Sequence, residues 1–340
     1  MSPTFGRTAD YKPGLFAFCV FAFFWITLLL FAGGFTTSIQ AGMAFLDWPL
    51  SNGSLNPEGW LNEPDKMAEH SHRLLGTKIG LLCIGLFVWT WLREERAWVR
   101  MLARLLLLVV ILQGVLGGAR VRFDQLNLLT ENNFLAQGFA VTHACGAQVV
   151  VGLLVALSLA CSRRWIEGNG GFAEPVPNNL RRWGILACIL LFLQILVGAV
   201  MRHTHAGLAI PRFPLAHDGS LLPAYWNFEV SIHFAHRVGA LLAAGALCGL
   251  FQSIWRHAPT RASLGLGASL IAALLALQIY LGALTIWTLK NPHVTTAHVL
   301  VGAFLLASTW WVTFLSYHPS TFKRSTPAGN FPSGSEAGTT

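Results

Sequence analysis

The stretch "MAEHSHRLLG", residues 67–76, places charged and titratable side chains at the start of an apolar run. These side chains are Glu69, His70, His72 and Arg73. Ionisable groups beside hydrocarbon are costly, and they commonly carry function. The apolar run that follows is one of eight, which predicts an all-α integral membrane protein with eight transmembrane helices.

The composition of the whole chain favours the same class. Of the 340 residues, 54% are hydrophobic and 11% are charged, with a mean hydropathy of +0.54. Soluble domains carry about 25% charged residues. The first apolar run is longer than a signal-peptide core of about 7–15 residues, so we interpret it as a retained helix. The predicted spans are 14–38, 72–92, 103–120, 135–161, 183–202, 232–255, 263–287 and 293–316.

The distribution of basic residues predicts the orientation of the helices. Of the 23 Lys and Arg residues, 14 fall in the two tails and in alternate loops. Cytoplasmic loops are enriched in Lys and Arg, so both termini are predicted to be cytoplasmic and the remaining loops to lie outside. The net charge of +8 is then mostly a topology signal. Because the basic residues are dispersed among loops, they do not favour a nucleic-acid partner.

An internal repeat divides the chain into two halves. "GGFTTSIQAGMAFLDWPL" (33–50) aligns without a gap with "GAVMRHTHAGLAIPRFPL" (198–215), and "LQGVLGGA" (112–119) resembles "LQIYLGAL" (277–284). Four spans per half predict two four-helix bundles as parallel repeats, which weighs against an inverted-repeat transporter. The predicted domains are an N-terminal half (1–161), a cytoplasmic linker (162–182), a C-terminal half (183–316) and a disordered cytoplasmic tail (317–340).

Four histidines occupy matching places in the two halves. They are His72, His143, His236 and His298, and each is predicted in the first turns of a helix that starts on the outer side. Imidazole is a favoured ligand of iron, copper and zinc. Four-helix bundles build cofactor sites from inward-facing side chains. Two histidines on opposing helices suit both axial positions of a haem, so the set predicts bis-histidine haem iron rather than polar packing.

Charged residues adjoin these histidines. Arg73 and Arg237 each directly follow one of the four, where arginine can bind haem propionates or reach the lipid headgroups. Glu69 lies three residues before His72, on the same face if the helix extends back that far. The second half has His233 at that place. The carboxylate can move protons or stabilise a cation at a haem edge, cap the helix, or pair with Arg73.

Several other residues are weaker candidates. His203 and His205 in "RHTHAG", and His217, can be ligands or proton carriers, but we interpret them as loop residues. The six cysteines all fall within or at the ends of spans, so no structural disulfide is predicted. They are Cys19, Cys83, Cys145, Cys161, Cys188 and Cys248.

Taken together, these motifs resemble those of the haem A synthase family over residues 15–316. They are "LDWP" (46–49), "EHSHR" (69–73), "THACG" (142–146), "GAVMRHTHAGLAIPRFP" (198–214), "HFAHR" (233–237) and "TAHVLVG" (296–302). The resemblance implies an oxidoreductase that oxidises a methyl group of haem O to a formyl group, giving haem A for terminal oxidases. It implies that His72 and His143 bracket haem O, with Glu69 beside the reacting edge. It also implies that His236 and His298 hold a permanent haem b, which passes electrons.

The resemblance has further implications and two departures. It implies the inner (plasma) membrane, haem sites towards the outer side, and membrane lipid and a transient complex with the haem O-producing farnesyltransferase as partners. The electron partner is not identified. Some family members have a cysteine pair in the first outer loop, and this chain has none. Thr37 stands near the place that corresponds to Arg202, so the N-terminal site is expected to hold propionates differently.

The residues alone leave two other functions open. A dihaem b-type electron carrier that exchanges electrons with quinone would use the same four histidines. It would not need Glu69 on one side only. A transporter or haem-handling scaffold would hold haem loosely or not at all.

Overall fold

The computed structural model describes residues 10–125, 134–168, 172, 175–216 and 219–318. Among them it contains no β-strand, and eight helices are long and apolar enough to cross a membrane. The prediction of an all-α, multi-pass membrane protein is therefore confirmed. The helices are α1 (Pro13–Ser38), α2 (Pro64–Arg93), α3 (Ala97–Gln125), α4 (Phe134–Ala160), the short α5 (Arg163–Ile166), α6 (Asn178–His203), α7 (Phe228–Trp255), α8 (Ala258–Trp287) and α9 (Pro292–Leu315).

Local sequence explains where the histidine-bearing helices of the second half begin. Asn227 caps α7, because its side chain accepts the N–H of Val230 at 2.8 Å. Asn291 caps α9 in the same way, accepting the N–H of His293 at 3.0 Å, and Pro292 follows it. Proline suits the first helical position, where its missing N–H has no partner in any case. These caps set the positions of the histidines that lie two to three turns further on.

The predicted spans are shorter than several of the helices. The greatest difference at a helix start is in α2, which begins at Pro64 rather than at residue 72, so that Glu69 is helical. An apolar window cannot detect this start, because the first two turns of α2 are polar. His72 consequently lies two turns inside its helix, about 12 Å from the beginning. This position agrees with the prediction that His72 lies in the first turns of its helix.

The helices of each half are neighbours in chain order, and the two halves meet through four inner helices. α1 packs on α2, α3 on α4, α6 on α7 and α8 on α9. Contacts between the halves run from α1 to α9, from α4 to α6 and from α4 to α9. The most apolar windows of α4 and α9 are 50% and 44% buried, against 17% in α3 and α8. One histidine of each half therefore lies on an inner helix.

The main apolar core occupies one end of the helix bundle. Its fully buried members include Leu86, Leu106, Leu154, Leu250 and Ile271. Leu86 lies 14 residues beyond His72 on α2, which is about 21 Å along the axis. We call the other end, where α2, α4, α7 and α9 begin, the histidine end. Dense apolar packing at one end leaves the histidine end for polar and titratable side chains.

Candidate functional site

The four candidate histidines come together as two pairs, one in each half. The ring centroids of His72 on α2 and His143 on α4 are 6.4 Å apart, with an interplanar angle of 86°. The centroids of His236 on α7 and His298 on α9 are 6.5 Å apart, at 65°. Each pair therefore joins two different helices at the histidine end.

These separations fit one metal ion between two imidazoles. A metal–nitrogen distance of about 2.0–2.1 Å, and about 1.1 Å more to each ring centre, separates the centres by about 6.3 Å. Among the described residues, no cluster of three or more His, Cys, Asp or Glu side chains could hold a metal ion. A bare zinc site usually needs four ligands. Two isolated histidine pairs therefore favour haem, which brings its own equatorial nitrogens.

Glycines on neighbouring helices provide the room for these rings. A Cβ atom built on Gly33 of α1 would lie 2.7 Å from His72 Cε1. One built on Gly198 of α6 would lie 2.9 Å from His236 Cε1. Small residues let neighbouring membrane helices approach closely. The rings of His72 and His236 are thus seated directly against the backbone of the adjoining helix.

Unsatisfied polar atoms are concentrated beside the two histidine pairs. Gln194 Nε2 lies 3.1 Å from His236 Nδ1 and donates to the carbonyl of His236 at 2.8 Å. Buried polar atoms normally have a hydrogen-bond partner. Buried atoms without a well-formed bond nevertheless include Nδ1 of His72, His143 and His298 and Oε1 of Gln113, Gln194 and Gln278. Each of these three histidines nevertheless has a backbone group within hydrogen-bonding range, that of Leu29, Gln113 and Gln278 respectively.

Glu69 is buried and forms the ion pair that the sequence left as an alternative. Its side chain is 5% exposed, and Oε1 accepts from Arg73 Nη2 at 2.5 Å. Glu69 Oε2 also accepts the backbone N–H of Phe45 at 3.1 Å. In the second half, His233 Nδ1 accepts the N–H of Ile210 at 3.2 Å, and Ile210 is 165 residues after Phe45. Both residues hold a loop, but only Glu69 supplies a carboxylate.

Arg73 and Arg237 fasten the long loops that follow α1 and α6. Arg73 donates to three backbone carbonyls, those of Phe45 at 3.1 Å, Asp47 at 2.6 Å and Leu50 at 2.5 Å. Arg237 donates likewise to the carbonyls of Ile210 at 3.1 Å and Pro214 at 3.2 Å. The two guanidinium groups therefore lie under the loops. The contact of either with a propionate stays a prediction.

The loop after α1 is further stabilised over the N-terminal pair. His70 is buried, and its Nδ1 lies 2.9 Å from Ser51 Oγ. Burial raises the pKa of the Asp47 carboxyl, but the N–H groups of Gly53 and Asn52, at 2.7 and 2.8 Å, hold that pKa below its ordinary value. Asp47 therefore stays charged at neutral pH and keeps the turn closed.

The remaining histidine candidates do not join either pair. His203 ends α6 and is partly buried, while His205 is exposed in the following turn. His217 lies outside the described residues. Arg120 was not a candidate from the sequence, yet its guanidinium lies 3.2 Å from the place where a Gly42 Cβ would stand. The close packing of that loop on α3 has no local sequence signal.

Comparison with known proteins agrees with this arrangement. Residues 16–310 match the COX15-CtaA family, described as cytochrome oxidase assembly protein. A heme A synthase of Symbiobacterium thermophilum is 32% identical over 257 residues, covering 74% of this chain and 79% of the relative. That of Shouchella clausii is 30% identical over 259 residues, covering 76% and 80%. That of Geobacillus kaustophilus is 26% identical, covering 85% of each. The chain therefore belongs to the COX15-CtaA family of cytochrome oxidase assembly proteins.

Proposed function

We propose that the two histidine pairs do different work, with haem O oxidised in the N-terminal half and haem b resident in the C-terminal half. The reaction itself follows from the family and its relatives: the chain is an oxidoreductase that converts haem O to haem A for oxidase assembly. The observation that carries the division of labour is the buried carboxylate of Glu69, which His233 replaces in the second half.

In the C-terminal half, His236 and His298 would hold haem b through their imidazole rings. Their ring separation of 6.5 Å supports this assignment. Gln194 fixes the orientation of the His236 ring through its side chain. The equivalent residue of the first half, 165 positions earlier, is Leu29, which has no polar side chain. Haem b, when bound, supplies one-electron redox chemistry.

In the N-terminal half, His72 and His143 would bracket haem O while Glu69 faces the reacting edge. Among the described residues, the buried carboxylates are those of Glu69 and Glu94, and Glu94 lies at the opposite end of α2. Glu69 is thus the buried carboxylate of the histidine end. Arg73 and the N–H of Phe45 orient both of its oxygens. A carboxylate held in this way can accept a proton from the substrate.

The same proposal includes the orientation in the membrane. The two halves would be parallel repeats, the termini would be cytoplasmic, and the histidine end would face the outer side of the inner membrane. Residues 165 positions apart have equivalent partners, which supports the repeat. The carbonyl of Phe45 accepts a hydrogen bond from Arg73, and the carbonyl of Ile210 accepts one from Arg237. Arg73 and Arg237 would then act at the outer edge of each site, and haem O would come from a transient complex with its farnesyltransferase through the lipid.

Haem analysis of cells tests the proposed reaction and the role of Glu69. The chain is co-expressed with a haem O-producing farnesyltransferase in cells that lack haem A, and acid-extracted haems are identified by chromatography and mass spectrometry. We expect haem A from the wild type and from Asp65→Asn, an exposed control on the same helix. Glu69→Gln should retain haem b and lose haem A. Haem A at the wild-type level from Glu69→Gln would refute its catalytic role. Only haem B and haem O from the wild type would instead favour a dihaem electron carrier.

A further inference from the structure

A polar junction links the two halves between the histidine pairs. Arg202, near the end of α6, donates through Nη2 to the carbonyl of Gly34 at 2.7 Å and to Ser38 Oγ at 2.8 Å, both on α1. Ser38 Oγ lies 3.0 Å from Thr296 Oγ1 on α9. One guanidinium group therefore ties together helices of both halves.

The junction adjoins one histidine of each pair. Gly34 follows Gly33, whose backbone seats His72, and Thr296 lies two residues before His298 on α9. The two helices approach closely here, since a Cβ on Gly34 would lie 3.5 Å from Thr296 Cγ2. A shift of α1 against α9 would consequently move the surroundings of both histidine pairs.

The junction occurs once and is absent from the matching position of the other half. Thr37 stands 165 residues before Arg202, and its hydroxyl donates to the carbonyl of Gly33 within its own helix at 3.0 Å. His203 stands 165 residues after Ser38. Packing within a four-helix half does not need the junction, because the first half lacks it. The junction therefore belongs to the contact between halves.

Arg202 also places a positive charge near the C-terminal pair. It lies within electrostatic range of His298, Arg120 and His203. A charge within a membrane span is costly, and it is usually retained for function. Oxidised haem carries one more positive charge than reduced haem. A neighbouring cation therefore destabilises the oxidised form more and raises the reduction potential.

We propose that Arg202 is a positioning residue that couples the two haem sites. It holds α1 against α9 and raises the reduction potential of the haem bound by His236 and His298. This inference rests on the proposed assignment of haem b to the C-terminal pair. The expected consequence of losing Arg202 is a lower potential together with less haem A.

Redox titration of the purified, haem-loaded protein tests this role. We expect Arg202→Gln to lower the midpoint potential of the C-terminal haem, and Arg202→Lys, which keeps the charge, to restore most of it. Arg212→Gln removes an exposed positive charge from the following loop and should match the wild type. In cells, haem A from Arg202→Gln should fall by about 2- to 30-fold, the range for a residue that couples two sites.

Two outcomes would overturn the proposal. One is a potential for Arg202→Gln equal to that of the wild type, and the other is an equal shift in Arg212→Gln. The midpoint potential is read from the haem spectrum and does not depend on haem A being made. If Arg202→Gln shifts the potential but even the wild type makes no haem A, the proposed reaction is refuted and the role of Arg202 is not. If Arg202→Gln does not assemble, Ser38→Ala removes the hydroxyl that joins Arg202 to Thr296, and it keeps both the charge and the bond from Arg202 to the Gly34 carbonyl. Unchanged haem A output and thermal stability in that variant would refute the junction.

Discussion

Alanine substitution of the glycines behind the histidine rings should empty one haem site at a time. The two variants are Gly33→Ala, behind His72, and Gly198→Ala, behind His236. Gly80→Ala on α2 is the matched control, because a Cβ there meets nothing within 4 Å. All three changes add one methyl group to a membrane helix. The first two differ from the control only in what that methyl group meets.

The magnitude follows from the contact distances. The added methyl would lie 2.7 Å from His72 Cε1, or 2.9 Å from His236 Cε1, whereas carbon atoms prefer about 3.5–4.0 Å. Each ring must therefore move by about 0.6–1.3 Å. Such overpacking costs about 1–3 kcal/mol, which corresponds to about a 5- to 150-fold loss of haem affinity. In the control, alanine is favoured over glycine in a helix by up to about 1 kcal/mol.

Haem content per purified protein, measured by haem extraction, is the readout. Gly198→Ala should lose haem b. Gly33→Ala should keep haem b but yield no haem O or haem A, and the control should resemble the wild type. Wild-type haem content in both test variants would refute the proposed seating of the rings. Equal loss of haem b in both would refute the separation of the two sites.

Two further predictions concern stability away from the histidine pairs. Burial raises the pKa of the Glu94 carboxyl, but hydrogen bonds from Arg96 at 2.8 and 2.9 Å outweigh it and leave the pKa below its ordinary value. The stabilisation is therefore complete above about pH 4.3 and is lost as the pH falls through the folded-state pKa. Glu94→Gln should lower the unfolding free energy by about 1–3 kcal/mol at pH 7, and a pH-independent difference in denaturant titrations would contradict this. Lys78 lies midway along α2 with its Nζ 3.3 Å from the centre of the Trp25 ring. A charge at the centre of a membrane helix costs about 2.5–3.5 kcal/mol, and the cation–π contact with Trp25 offsets about 0.5–2 kcal/mol of this. Lys78→Leu should therefore unfold at a higher temperature in bilayers than the wild type. A lower unfolding temperature would refute the estimate.

Hydropathy was sufficient to predict the eight spans. The internal alignment also selected the four histidines that the structure brings together as two pairs, and their role as haem ligands stays a prediction. A window of apolar residues detects the part of a helix inside the hydrocarbon, and the repeat identifies His72, His143, His236 and His298 as equivalent. The polar start of α2 escaped the same reasoning. Its first two turns contact the loop after α1, as in the bonds of Glu69 to Phe45 and of His70 to Ser51, so their composition is polar and does not resemble a span.

The contacts around the site were harder to predict. Arg73 binds the backbone carbonyls of a loop about 25 residues earlier in the chain, and no side-chain pattern encodes the path of that loop. The junction at Arg202 depends on how the two halves meet. Only an unmatched basic residue in the repeat, opposite Thr37, marked that position in the sequence.

The measurement that tests the central claim most directly is the identity of the haem lost from each half. His143→Ala and His298→Ala are expressed with a haem O-producing farnesyltransferase in cells lacking haem A, purified, and extracted in acid. The account predicts that His143→Ala retains haem b and contains no haem O or haem A, whereas His298→Ala loses haem b. The same loss of every haem type from both variants would contradict two sites with unequal functions.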